Sequence, residues 1–185
     1  MNEITVIGAG LAGSEAAWQA ARQGVRVKLV EMKPRKKTPA HHADGFAELV
    51  CSNSLGSNLK DRASGVLKEE LRMAGSLLVE CAEKAAVPAG NALAVDRKVF
   101  SAEVESRLNR QPNIRIIREE VKQIPTDRTV VIASGPLSSP AISEEITRLC
   151  GMENLFFFDA IAPIVEYLYP NAFILSRTSA ALLAP

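Results

Sequence analysis

The 185-residue sequence predicts an α/β fold, a Rossmann-like domain built on a largely parallel sheet. Three observations carry this expectation. Short β-branched runs alternate with stretches of helix formers from Ile4 to Leu149. The first run enters its helix through a Gly-x-Gly-x-x-Gly turn, and an acid stands at the end of the second run. The composition, 47% hydrophobic and 23% charged, is that of a domain able to bury a core.

Ile4–Ile7 reads as a buried strand, Ser14–Gln23 as a helix closed by Gly24, and Val25–Val30 as a second strand ending at Glu31. Strand, turn, helix and strand make one βαβ unit with a right-handed crossover. From Met32 to about Arg62 prolines, glycines and Ser52-Asn53-Ser54 break the pattern, which predicts loops. Val66, Leu67, Leu71, Ala74, Leu78 and Cys81 recur at helical steps, predicting a single helix over 64–83 that Val87–Gly90 stops. Leu93–Val95 reads as a strand, Asp96 as the N-cap of a helix carrying Phe100, Val104 and Leu108 inward. Ile114–Ile117, Val121–Ile124 and Thr129–Ala133 read as strands, and Ser139-Pro140 opens a helix that Gly151 closes. Leu155–Ala160 is a last candidate strand, and Trp18 is expected to pack.

In the turn Gly8-Ala9-Gly10-Leu11-Ala12-Gly13 each glycine has a physical task. Gly8 allows the tight bend, Gly10 lets a pyrophosphate approach the backbone, and Gly13 lets helix close on strand. Free amides at the helix start then hold the phosphates. Glu31, eighteen residues after Gly13, is placed to accept from a ribose hydroxyl. A 2′-phosphate beside Glu31 would be repelled, so the turn suits NAD or FAD better than NADP, with Lys33 and Arg35 as the cations that soften the objection. The net charge of +1 advertises no nucleic-acid field, and the run Lys33–Lys37 reads as a solvated loop. No stretch approaches the roughly 20 apolar residues of a membrane span. Met1-Asn2-Glu3 lacks the basic start of an export signal, so a cytoplasmic location is expected. The three cysteines fit neither a disulfide framework nor a zinc ribbon, and His41-His42 have no partners at ligand spacing, so no metal site is expected.

Several blocks in order carry a resemblance to a known family. They are Ala40-His41-His42, Glu48 through Leu55, Leu67 through Arg72, Pro88 through Arg97, Ala133 through Leu137 and Phe158 through Glu166. With Gly8–Gly13 before them, the chain resembles the folate- and FAD-dependent methylenetetrahydrofolate–tRNA (uracil-5-)-methyltransferases, relatives of the glucose-inhibited division proteins. The resemblance implies an FAD-binding domain over 1–166, with Ser134 and Gly135 approaching the flavin phosphates from the second strand–turn, and a divergent tail over 167–185. The family is longer, so the fold is expected to be incomplete relative to it, and the activity of a chain that departs from it after Glu166 to be impaired.

The implied reaction forms 5-methyluridine in the T-loop of tRNA. Methylenetetrahydrofolate is the carbon donor and NAD(P)H the source of reducing equivalents through FAD. Uracil C5 is a poor nucleophile until a thiolate adds at C6. Cys51, in the matching Leu-Val-Cys-Ser-Asn-Ser block, is the expected catalytic thiol. Cys81 and Cys150 are expected in the core, and His41 and His42 near phosphates or a base. The residues leave two other readings open, a nucleotide-binding module without catalysis and a related flavin-dependent modifier of tRNA wobble uridine.

Overall fold

A computed structural model describes residues 3–38 and 40–151 and the two strands at 165–169 and 172–175. Its centre is a four-stranded sheet in the order β6-β2-β1-β7, all pairs parallel. The strands are β1 (Glu3–Ile7), β2 (Arg26–Glu31), β6 (Ile114–Arg118) and β7 (Val130–Ile132). The expected Rossmann-type α/β layering is therefore present. Helix α1 (Leu11–Arg22) crosses from β1 to β2 and begins three residues earlier than its helix formers suggest, because Gly10 is already its N-cap.

Strand pleating sorts the side chains. Val6, Val27 and Leu29 point to one face, where they meet Ala17 and Ala21 of α1, Leu77 and Cys81 of α3 (Leu77–Lys84), and Phe100, Val104 and Leu108 of α4 (Arg97–Arg110). Each such large side chain contributes about 1.5–3 kcal/mol on burial. Asp96 caps α4, accepting from the amides of Lys98 at 2.9 Å and Val99 at 3.0 Å. The opposite face carries a smaller cluster, Ile7 with Ile124 and with Ile142 of α5 (Pro140–Cys150). Trp18 packs against the larger core with the Arg107 guanidinium 5.0 Å from its ring centre.

Four expectations need correction. The single helix over 64–83 is two, α2 (Ala63–Met73) and α3, parted at Gly75, whose φ of 68° ends the first. The Val66, Leu67 and Leu71 stripe consequently stays exposed rather than joining the core. Val121–Ile124 is not a strand. The Ile124 amide donates to the Glu145 carboxylate at 3.2 Å instead of to a ladder, and both apolar side chains fill the smaller cluster. The stretch after Cys51 contains β3 (Ser54–Ser57), which with β5 (Ala92–Val95) and β4 (Ala86–Val87) forms a separate antiparallel sheet. Cys150 is exposed at the end of α5, where Gly151 in the left-handed region (φ 61°) stops the helix; Cys81 alone of the two is buried. A hairpin of β8 (Val165–Tyr169) and β9 (Ala172–Leu175) follows. The candidate strand Leu155–Ala160 lies outside the described residues.

Candidate functional site

The sheet order reverses between β1 and β7, so their C-terminal ends feed loops that run to opposite sides and leave a crevice. A cleft of about 260 Å³ opens there. Gly8, Gly10, Leu11 and Ala12 line it from the first turn, Ser134 and Gly135 from the turn after β7, and Glu31 from the end of β2. Ala9, buried, and Gly13, inside α1, sit behind this wall.

The three glycines differ sharply in their surroundings. At Gly8, with φ 97°, a Cβ would lie 2.7 Å from the Ala133 carbonyl oxygen. At Gly13 it would collide with the Gly8 carbonyl. At Gly10 it would meet nothing within 4 Å and would project into open space. Two glycines thus permit close packing of turn, helix and β7, and the third leaves backbone bare beside the cleft. No side chain caps the N-terminus of α1, so its first amides remain free for an anion.

Glu31 is buried, 6% exposed, and its carboxylate accepts from the Ala9 amide at 2.7 Å and the Lys33 amide at 2.9 Å. It therefore ties the end of β2 to the glycine turn while still lining the cleft. Lys33 is buried, 4% exposed, and its ammonium pairs with Glu48 at 2.9 Å. Glu48 also accepts from the amides of His42 and Ala43 at 2.8 and 2.9 Å. Burial acts to raise the Glu48 carboxyl, but the Ala43 amide, the Lys33 ammonium and the His42 amide outweigh it and hold the group below its ordinary range. Burial, then the Lys33 charge, lowers the His41 imidazole, which lines the cleft and shares a 2.6 Å hydrogen bond with Thr38 through Nδ1.

The segment 32–50, irregular by sequence, is fastened at several points. Phe46 is buried, and its carbonyl accepts from the Ser101 hydroxyl. The Ala47 amide donates to the Ala9 carbonyl at 2.9 Å, and Ala47 itself is left-handed with φ 48°. The Arg118 guanidinium lies 3.9 Å from the Phe46 ring centre, donates to the carbonyls of Lys33 and Asp44, and pairs with Glu105. These anchors escaped sequence reasoning; a lone aromatic inside a polar loop, Phe46, is the one signal that points to them.

Cys51 is exposed and lies outside the lining of the cleft, which reaches the preceding residue, Val50. Its carbonyl accepts from Arg97 Nη2 at 3.3 Å. His41 shares a hydrogen bond with Thr38, and the His42 amide donates to Glu48. Among the described residues no group of three or more His, Cys, Asp or Glu could hold a metal ion, and no helix is long and apolar enough to cross a membrane.

Sheet order, glycine turn and switch-point cleft define a Rossmann-type α/β domain. Residues 3–170 match the family described as glucose inhibited division protein A, and the chain belongs to that family. It is 58% identical over 163 residues to the methylenetetrahydrofolate–tRNA-(uracil-5-)-methyltransferase TrmFO of Ligilactobacillus salivarius. The protein of the same name from Bacillus subtilis is 56% identical, also over 163 residues. Each alignment covers 88% of this chain and 37% of the relative, so the chain spans little more than a third of their length. A solved structure, the GidA-related protein from Thermus thermophilus, aligns with a TM-score of 0.48 and 19% identity over 80% of this chain and 68% of that one.

Proposed function

We propose that this chain is the FAD-binding part of a folate-dependent tRNA (uracil-5-)-methyltransferase, with Cys51 as its nucleophile. The observation that carries the reading is the cradle of glycines beside an acid-ended second strand, in a chain 58% identical to a relative bearing that name. The cradle fits an FAD pyrophosphate: Gly10 offers open backbone, and the uncapped amides of α1 face the same cleft. Ser134 and Gly135 close the opposite wall, and Glu31 stands at the ribose end. FAD, when bound, supplies the hydride chemistry that completes the methyl group, with NAD(P)H as reductant and methylenetetrahydrofolate as carbon source.

Cys51 would add to C6 of a uracil presented at the cleft mouth, making C5 nucleophilic. Its exposure one residue beyond the cleft wall suits attack on a base brought from outside. The relatives' names give methyl transfer to uracil C5 of tRNA, which favours the methyltransferase reading over that of a wobble-uridine modifier. A chain spanning 37% of those relatives also supports a second reading, a domain that holds the cofactor without turning over by itself.

Visible absorbance of the purified chain, reconstituted with FAD and desalted, tests the cofactor role. Gly10→Val places a branched side chain in the open space and is expected to lower flavin retention at least about tenfold, roughly 1.4 kcal/mol, with the circular dichroism spectrum unchanged. Equal retention by the variant would remove the pyrophosphate from this turn.

A further inference from the structure

Cys51 is exposed on a strap, residues 51–54, that is laid along the end of β5 and the start of α4. The Val95 amide donates to the Asn53 carbonyl at 2.9 Å, and Asn53 Nδ2 donates back to the Val95 carbonyl at 3.2 Å. Two residues on, Arg97 opens α4, and its Nη2 donates to the Cys51 carbonyl at 3.3 Å. A guanidinium on the carbonyl of Cys51 stands within one residue's dimensions of the thiol. Arg97 is exposed, and this bond occupies one of its several N–H donors. Among the described residues no carboxylate pairs with it. The Asp96 carboxylate beside it accepts instead from the amides of Lys98 and Val99. The reciprocal bonds of Asn53 and Val95 already fasten the strap, so one long hydrogen bond leaves most of the guanidinium unused.

We propose that Arg97 is a substrate-binding residue of the reaction at Cys51: its remaining N–H groups take the phosphate of the target uridine, so that the base arrives with C6 against the thiol. The proposal rests on the reading of Cys51 as the nucleophile. A guanidinium presents parallel N–H bonds at the spacing of phosphate oxygens, and phosphate is the anion that uridine carries in RNA. The net charge of +1 gives the chain no general field for RNA, so a local contact has to hold the nucleotide. Phosphate contacts fix the position of a nucleotide without reading its base, which is what a thiol aimed at one carbon requires. The division of labour follows. The glycine turn faces the cleft, and Arg97 serves the thiol that stands outside its lining.

Protection of Cys51 from iodoacetamide by uridine 5′-monophosphate and by uridine is the test, read by peptide mapping of the purified chain with Cys150 as the reference thiol. The two ligands differ only in the phosphate. The monophosphate is expected to protect Cys51 at a concentration at least about tenfold lower than uridine, a factor equal to about 1.4 kcal/mol. Arg97→Gln keeps a donor for the Cys51 carbonyl and should bring the two ligands within about threefold of each other, while Arg97→Lys retains part of the difference. Lys98→Gln removes the same charge one residue on and should leave the difference within about twofold of that of the unaltered chain. Equal protection by the two ligands, protection by neither, or the same loss in Lys98→Gln as in Arg97→Gln overturns the phosphate contact and leaves Cys51 standing as the nucleophile. A Cys51 that alkylates no faster than the buried Cys81 overturns the nucleophile reading as well.

Discussion

At the residue scale the cysteines show how position decides chemistry. Cys81 lies on the buried face of α3, and burial pushes its thiol up to about 11. At pH 7.5 its thiolate is then scarcer than one part in about a thousand, and the packing around it excludes reagent as well. Cys51 and Cys150 are both exposed. Brief iodoacetamide treatment followed by peptide mapping should therefore modify Cys51 and Cys150 while Cys81 reacts at least about a hundredfold more slowly until urea unfolds the chain. Labelling of Cys81 at the rate of the other two would show that α3 is not seated as described. The glycine turn was legible because its three positions are local and each glycine has a backbone reason. The Lys33–Glu48 pair was not, since its partners stand fifteen residues apart in a segment without periodicity.

At the element scale the division of the helix over 64–83 is instructive. Its apolar residues continue at helical steps straight through the break, so periodicity alone joins the two pieces. A partner on another element decides the matter. Glu15 of α1 accepts from the Ser76 hydroxyl at 2.9 Å and from the amides of Leu77 and Leu78 at 3.3 and 3.1 Å. Ser76 itself caps the Val79 amide, and Arg22 of α1 donates to the carbonyls of Ala74 and Gly75. One helix thus supplies the acid for the start of α3 and the base for the end of α2, matching both helix dipoles. Glu15→Ala leaves two amides and a hydroxyl without that acceptor and is expected to destabilise the domain by about 1–2 kcal/mol. Urea unfolding monitored by circular dichroism measures it, with Glu15→Gln losing about half as much. A loss below about 0.3 kcal/mol would mean that water replaces the carboxylate. The misread strand Val121–Ile124 has the same origin. β-branched residues mark a buried extended segment, and only the Glu145 contact tells that its amides leave the ladder.

At the scale of the whole molecule the order β6-β2-β1-β7 follows from alternating strands and helices, and the position of the cleft follows from that order. What lies over the cleft does not follow. The segment 32–50 has no periodicity, and its conformation is set by contacts with β6, α4 and the glycine turn, residues 9 to 118 in the chain. Arg118 is the junction. Its planar fork takes two loop carbonyls and Glu105 at once while its face covers the Phe46 ring. Lysine has the charge without the fork and cannot keep both carbonyls, the carboxylate and the stacking together. Arg118→Lys should therefore lower stability by about 1–3 kcal/mol, the range for losing charge-assisted hydrogen bonds to partly buried partners. It should also loosen the loop locally. Trypsin cleavage after Lys36 or Lys37, whose side chains pair with Glu120 and Asp44, is expected to accelerate in native buffer by more than the measured loss of global stability produces, about tenfold for each 1.4 kcal/mol. Because that loop carries Glu48 against Lys33, flavin retention should fall in parallel with the rate of cleavage. Unchanged proteolysis of segment 32–50 in Arg118→Lys would show that Phe46 and the Ala47–Ala9 bond hold it unaided.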